Sequence, residues 1–271
     1  MKKHYSSLIS SAFGKFASKP FSKPVQKFIN NSYVKLMGLD MTEFDTPANY
    51  PSLNKLFIRS FINDKKITED TSIMISPVDA LVTDFGEICE GKAYQIKGME
   101  YDISELFGEE HKEAATAVEG GQFVNLYLSP KDYHRYHTPD KLNIISLTHI
   151  PGKLYPVNFP LLRNKKNLFI ENERVIIECK DQKDNTFIMV LVGALNVGKM
   201  LVTFEDNINT NSDIKEPQHY KYENLTLEKG ELFGWFEMGS TILLFSQKGV
   251  YTPNLEINQK VKFSENIGKL N

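Results

Sequence analysis

At Gly239-Ser240 a serine hydroxyl directly follows a glycine carbonyl, inside the run Glu231-Leu-Phe-Gly-Trp-Phe-Glu-Met-Gly-Ser-Thr-Ile-Leu-Leu-Phe245. Two readings fit that pair. One is a bulge or bend, because glycine adopts backbone angles closed to other residues. The other is a peptide bond open to attack by the Ser240 hydroxyl on the Gly239 carbonyl, since glycine places no Cβ in the way. A hydroxyl is a weak nucleophile. It needs a base, and the base needs a group that orients it.

Candidates for both lie upstream. Leu128-Ser-Pro-Lys-Asp-Tyr-His134-Arg-Tyr-His137-Thr-Pro139 is the densest polar and aromatic cluster of the chain. Ser129 as a cap, Pro130 at the first helical position and Asp132 in the first turn predict one helical turn, which sets His134 and His137 on one face. On a strand the two would face opposite ways. Two histidines on one face suit a base and a separate acid; a polar loop with incidental histidines is the plain alternative. A metal site needs a third and usually a fourth ligand. The other histidines (His4, His111, His149, His219) are scattered, so no metal is expected. Asp79, in Ile75-Ser-Pro-Val-Asp-Ala-Leu-Val82, is either a turn aspartate bonded to backbone amides or a carboxylate that orients an imidazole. Val192-Gly-Ala-Leu-Asn-Val-Gly-Lys-Met200 has two glycines, but its order is wrong for a phosphate loop and no Ser or Thr follows the lysine.

The elements that would position these groups divide in two. Residues 241–245 read as a buried strand. Short β-prone runs punctuated by Gly and Pro occur at 73–75, 80–84, 123–128, 143–148, 174–178, 187–192 and 200–204, with Asp184-Asn185 as a hairpin turn. His149-Ile-Pro-Gly-Lys-Leu-Tyr-Pro-Val-Asn158 reads as a strand, a tight turn and a polar exit. Ahead of them the period is helical. Residues 5–16 align Tyr5, Leu8, Ile9, Ala12, Phe13 and Phe16, and Pro20 ends that helix. A second helix follows Pro24, with Val25, Phe28, Ile29, Leu36 and Met37, and Pro51 opens a third over 52–59 with Leu53, Leu56 and Phe57 inward. The expected fold class is α+β: a β-rich catalytic body of antiparallel sheets, a barrel-like sandwich, over 63–271, preceded by amphipathic helices over 1–62.

Composition narrows the partners. A chain 41% hydrophobic and 24% charged is that of a globular protein. Cys89 and Cys179 give neither a disulfide framework nor a zinc pattern and suit a reducing compartment. No run approaches the ~18 apolar residues of a membrane span, and Gly14-Lys15 interrupts any signal-peptide core. The net charge of −2 hides an asymmetry: residues 1–39 carry seven lysines and no Asp or Glu, so the remainder carries −9. Lysines around apolar helical faces fit a helix lying in an anionic lipid interface, each lysine contributing about 1 kcal/mol. A helical hairpin packed on its own domain is the alternative. Nucleic acid is not expected, since the basic segment lacks arginine and the body is acidic.

Asp79 in SPVDA, the histidine pair in YHRYHTP, HIPGKLYPVN, VGALNVGKM and MGST before an apolar strand occur in that order. Together, from about Pro51 to about Val250, they resemble the phosphatidylserine decarboxylase family. The resemblance implies self-cleavage between Gly239 and Ser240, with residues 1–239 as β chain, residues 240–271 as α chain, and Ser240 converted to a covalent pyruvoyl group. By motif position Asp79, His137 and Ser240 match the family's self-cleavage triad, and His134 matches the histidine of the decarboxylation step. The pyruvoyl ketone would take phosphatidylserine as a Schiff base, lose CO2 and release phosphatidylethanolamine. The implied setting is peripheral, on the cytoplasmic side of a bacterial cell membrane, with the β/α pair dimerising. Met238 stands where the family most often has Leu, and Ala80 where it usually has Gly. Two rival classes fit parts of the pattern: a hydrolase using intact Ser240 with Asp79 and His137, although no G-x-S-x-G elbow is present, and a non-enzymatic lipid-binding β module.

Overall fold

The computed structural model describes residues 14–271 apart from 97, 196–198 and 238–239. Gly239, most of the predicted 5–16 helix and the middle of the 192–200 segment therefore lie outside the described residues. Eight strands form one antiparallel sheet, in the order Gln218–Leu227, Leu142–Ile150, Arg174–Lys180, Thr186–Val192, Ser240–Ser246, Gln122–Leu128, Ala80–Glu87 and Lys260–Val261. Its two outer strands do not meet, so the sheet is open and no barrel closes. The expected β-rich α+β architecture is otherwise what forms. Each predicted run is a strand, most of them longer by a residue or more at an end, whereas 200–204 stops at Val202. Asp184 takes a positive φ of 65° in the hairpin that pairs Lys180 with Thr186.

Ser240–Ser246 lies in the interior of this sheet and every one of its residues is buried. It pairs along its length with Gln122–Leu128 on one side and Thr186–Val192 on the other. Ile242, Leu243, Leu244 and Phe245 explain the position, because a side chain of this kind gains about 1.5–3 kcal/mol on full burial. A second sheet joins Met200–Val202, Leu232–Phe236 and Arg135–His137. Gly234 permits the close approach there: a Cβ would lie 2.1 Å from the Leu201 carbonyl oxygen and 2.3 Å from the Tyr136 ring.

The helical N-terminal unit packs with an unusual polarity. In the helix Lys23–Met37 the buried residues are Gln26 and Asn30, whereas Phe28 is 73% and Leu36 83% exposed. The amides are inward because they have partners. Gln26 Nε2 donates to Asn30 Oδ1, and Asn30 Nδ2 donates to the carbonyls of Pro47 and Tyr50. The short helix Leu53–Phe57 buries Leu53, Leu56 and Phe57 as predicted, but its start differs. Ser52 is the N-cap, accepting from Lys55 N, and Pro51 sits outside the helix. A further difference concerns 129–137, which forms no helical turn. Asp132 Oδ2 accepts from Ser129 N and Oγ, closing a turn, and Arg135–His137 is a strand because its backbone pairs with Leu232–Phe236.

Candidate active site

Chain order and strand pairing bring the predicted residues to one region. Ser240 opens the central strand opposite Leu128, the residue after which the Ser129–Asp132 turn leads to His134. The Phe236 amide donates to the His134 carbonyl at 2.9 Å, so the segment running to Ser240 leaves from beside His134. At the other end of the same strand pair His137 lies opposite Leu232. Asn54 Nδ2 reaches Glu237 Oε1 at 3.0 Å, tying the Leu53–Phe57 helix to that segment.

Both histidines are held as neutral rings with a defined tautomer. A carbonyl only accepts, so His134 Nδ1 donates to the Asp132 carbonyl at 2.8 Å, and His137 Nδ1 donates to the Gly230 carbonyl at 2.9 Å. The Nε2 atoms therefore carry the lone pairs. Burial depresses His134 to about 3, helped by the Arg59 charge and opposed by its backbone bond. Burial depresses His137 to about 4. His134 Nε2 is buried without a hydrogen-bond partner, and its ring packs against Phe57 at 4.0 Å between centroids. His137 Nε2 accepts from Tyr133 Oη at 3.0 Å. Burial raises the Tyr133 hydroxyl, which keeps its proton. The sequence reading missed Tyr133, although its place four residues before His137 was a visible signal.

Asp79 is not hydrogen-bonded to His137. Its Oδ1 accepts from the Phe263 amide at 2.8 Å, and the Phe263 ring stacks on His137 with centroids 3.8 Å apart. The carboxylate thus reaches the imidazole through an aromatic residue that the sequence reading did not single out. Burial raises the Asp79 carboxyl above its usual range, opposed by the Phe263 amide and reinforced by Asp132. A cavity of about 240 Å³ opens beside it, lined by Asp79, Tyr127, Ser129, Lys131, Asp132 and Lys260 among others. Ser240 Oγ is fully buried and has no hydrogen-bond partner, as is the neighbouring Thr241 Oγ1. The Ser240 hydroxyl is one of several buried hydroxyls left without a partner among the described residues, with those of Thr83, Tyr101, Thr241 and Ser246. No group of three His, Cys, Asp or Glu that could hold a metal occurs among the described residues.

Known proteins resemble this chain over most of its length. The sequence profile described as phosphatidylserine decarboxylase matches residues 53–269. A Helicobacter pylori protein named phosphatidylserine decarboxylase proenzyme is 43% identical over 265 residues, covering 97% of each chain. One of the same name from Campylobacter jejuni is 44% identical over 262 residues, 95% of this chain and 97% of that one. Another from Brevibacillus brevis is 36% identical over 240 residues, 87% and 83% of the two chains. The chain is therefore a carboxy-lyase, an enzyme that removes a carboxyl group as CO2. It belongs to the phosphatidylserine decarboxylase family.

Proposed function

We propose that this chain is made as a precursor, cuts itself between Gly239 and Ser240, and then decarboxylates phosphatidylserine to phosphatidylethanolamine. The observation that carries the reading is the buried, unpaired Ser240 hydroxyl at the head of the central strand. His137 exchanges the Tyr133 hydroxyl for that of Ser240 and takes its proton at Nε2. Oγ attacks the Gly239 carbonyl and the amide becomes an ester. Elimination then frees the carboxylate of residues 1–239 and leaves dehydroalanine at 240. Its hydrolysis yields the pyruvoyl group and ammonia. Asp79 supports the step by fixing Phe263 against the His137 ring.

The pyruvoyl group supplies an electrophilic carbonyl that draws off the electrons released as CO2 departs. The chain's own residues handle the proton. Because His134 Nδ1 is committed to the Asp132 carbonyl, its Nε2 is a bare acceptor. It hands to the carbon that has lost CO2 a proton that the substrate amine sheds as it bonds to the carbonyl. Intact-protein mass spectrometry of the wild type under denaturing conditions tests the reading. Two species are expected, one ending at Gly239 and one starting at residue 240 with pyruvoyl in place of serine. A single full-length chain that reacts with a fluorophosphonate would favour a serine hydrolase instead.

Residues 1–62 are proposed as the unit that docks the site mouth on an anionic membrane. No helix among the described residues is long and apolar enough to cross one. The outward apolar side of Lys23–Met37 supports contact with the lipid surface. Phe28→Glu combined with Leu36→Glu should lower the partition coefficient onto anionic vesicles at least a hundredfold, since each residue offers about 1.5–3 kcal/mol of burial. Turnover of dispersed short-chain substrate should be kept. Unchanged vesicle binding would remove this face from the docking surface.

A further inference from the structure

The strand register draws one row of side chains across the large sheet. Lys260 pairs with Leu81, Leu81 with Tyr127, and Tyr127 with Thr241, the residue after Ser240. Directly paired residues share a face, so these four side chains stand on one side of the sheet. Neighbouring strands lie about 4.8 Å apart, which sets the Lys260 backbone roughly 14 Å from that of Thr241. Lys260, Leu81 and Tyr127 all line the cavity of about 240 Å³ beside Asp79. Lys131 and Lys262 line it too, and all three lysines are exposed. None of the three forms an ion pair among the described residues. Asp79 and Asp132 are the less exposed charges of the same cavity. Asp79 Oδ1 is taken by the Phe263 amide and Asp132 Oδ2 by Ser129, and the second oxygen of each carboxylate has no hydrogen bond among the described residues. The cavity is therefore cationic where it meets solvent and anionic farther in.

The turn that carries Lys131 is pinned from two sides. Arg59 Nη2 donates to the carbonyls of Lys131 and Asp132 at 2.9 and 3.3 Å. Tyr33 of the Lys23–Met37 helix donates to the Pro130 carbonyl at 3.2 Å. The lysine rim thus lies beside the helix that exposes Phe28 and Leu36. An aminophospholipid presents its parts in a matching order: acyl chains, an anionic phosphodiester, then a cationic amine. We propose that this cavity receives the head group of the lipid substrate, with Lys131, Lys260 and Lys262 on its phosphodiester and Asp79 and Asp132 facing its ammonium. This rests on the lipid-decarboxylase reading above. Lysine suits a phosphodiester as a point charge on a flexible stem. The substrate's carboxylate is the poorer match for these lysines. It has to reach residue 240, which is fully buried and lies toward the other end of the row from Lys260. The phosphodiester keeps its charge throughout the reaction, so holding it lowers KM and leaves kcat alone.

The test replaces all three lysines at once, Lys131→Gln, Lys260→Gln and Lys262→Gln, and scores self-cleavage on gels and turnover of dispersed short-chain phosphatidylserine. A control of equal charge carries Lys92→Gln, Lys112→Gln and Lys141→Gln, none of which lines the cavity. Two inhibitors separate the anions: glycerophosphoethanolamine carries the phosphodiester without the carboxylate, and free serine carries the carboxylate without the phosphate. The cavity variant should cleave itself. Its KM for the lipid and its inhibition constant for glycerophosphoethanolamine should each rise at least tenfold, with kcat changed less than threefold and the response to serine as in wild type. The control should match wild type throughout. Unchanged KM and inhibition would overturn the proposal, and so would an equal rise in the control, which would mean long-range charge alone. A loss seen on anionic vesicles but not on dispersed lipid would assign the lysines to membrane adhesion and overturn it. So would a weakened response to serine alone, or failure of the cavity variant to cleave while still folded. If that variant does not fold, Lys260→Gln decides: a threefold rise in the glycerophosphoethanolamine constant supports the site, and the wild-type value refutes it. A wild type that neither cleaves nor releases CO2 refutes the decarboxylase reading and this inference with it. An active wild type with indifferent lysine variants refutes this inference alone.

Discussion

Ser240→Ala is expected to give one uncut chain, no carbonyl-reactive group and CO2 release below detection. No other residue supplies the oxygen that would attack Gly239 or the carbon that would become the ketone. The effect should come without loss of fold. Ser240 Oγ is buried and unpaired, so deleting it removes an unsatisfied group that costs about 1–3 kcal/mol rather than a useful hydrogen bond. The variant should melt at or above the temperature of an uncut precursor. Active but uncut Ser240→Ala protein, measured by release of labelled CO2, would sink the pyruvoyl mechanism.

The two histidines should separate. His137→Ala should slow self-cleavage by about 10²–10⁴-fold, the usual contribution of a positioned base. His134→Ala should still cleave, at least in part, and lose turnover by a similar factor. Time courses of chain cleavage, followed by activity assays on the cleaved fraction, distinguish them; equal loss of cleavage in both would refute the division of roles. The pH dependence follows from the depressed His137. A base works when neutral, and burial holds His137 neutral down to about 4. Self-cleavage should be flat in its His137 dependence through neutral pH and should fall only as pH drops toward 4. An inflection near the ordinary histidine value of about 6.5 would show the ring to be solvated when it acts. Tyr133→Phe should leave cleavage competent, because His137 must surrender that hydroxyl before it can take the serine proton.

Much of this was legible in the residues. The strand at 241–245 could be seen because Thr-Ile-Leu-Leu-Phe is apolar on both faces, as a strand in the interior of a covered sheet must be. The hairpin at Asp184 was visible because turn chemistry is local. The helical turn at 129–137 was misread for a physical reason. Ser129, Pro130 and Asp132 do satisfy cap preferences, yet the strand at 232–236, nearly a hundred residues later, claims the backbone of 135–137. Local propensity yielded to a distant pairing that no window contains. The same limit hid Phe263 and Arg59. Phe263 reaches Asp79 across 184 positions, and Arg59 reaches Lys131 across 72. Of the two readings of Asp79, the bond to a backbone amide is the one observed, and the Phe263 that supplies it stacks on His137. Outward Phe28 and Leu36 could not be told from an inward face by period alone. That choice was made by Asn30, whose amide finds two carbonyls inside.

The strand that begins with Ser240 sits between two partners, and the chain beyond it also supplies Asn266–Leu270, which pairs with both Ile73–Ile75 and Tyr251–Pro253. The proposed cut before Ser240 would therefore divide the polypeptide without freeing either piece. It would change the molecularity of folding. The precursor regains its sheet as one chain, at a rate independent of concentration. The cut form, once unfolded, must find its other half by diffusion, so its recovery depends on dilution. Chemical activation of this kind is also a ratchet: the fold is laid down while the chain is whole, and what preserves it afterwards is the slowness with which a buried interior strand can leave.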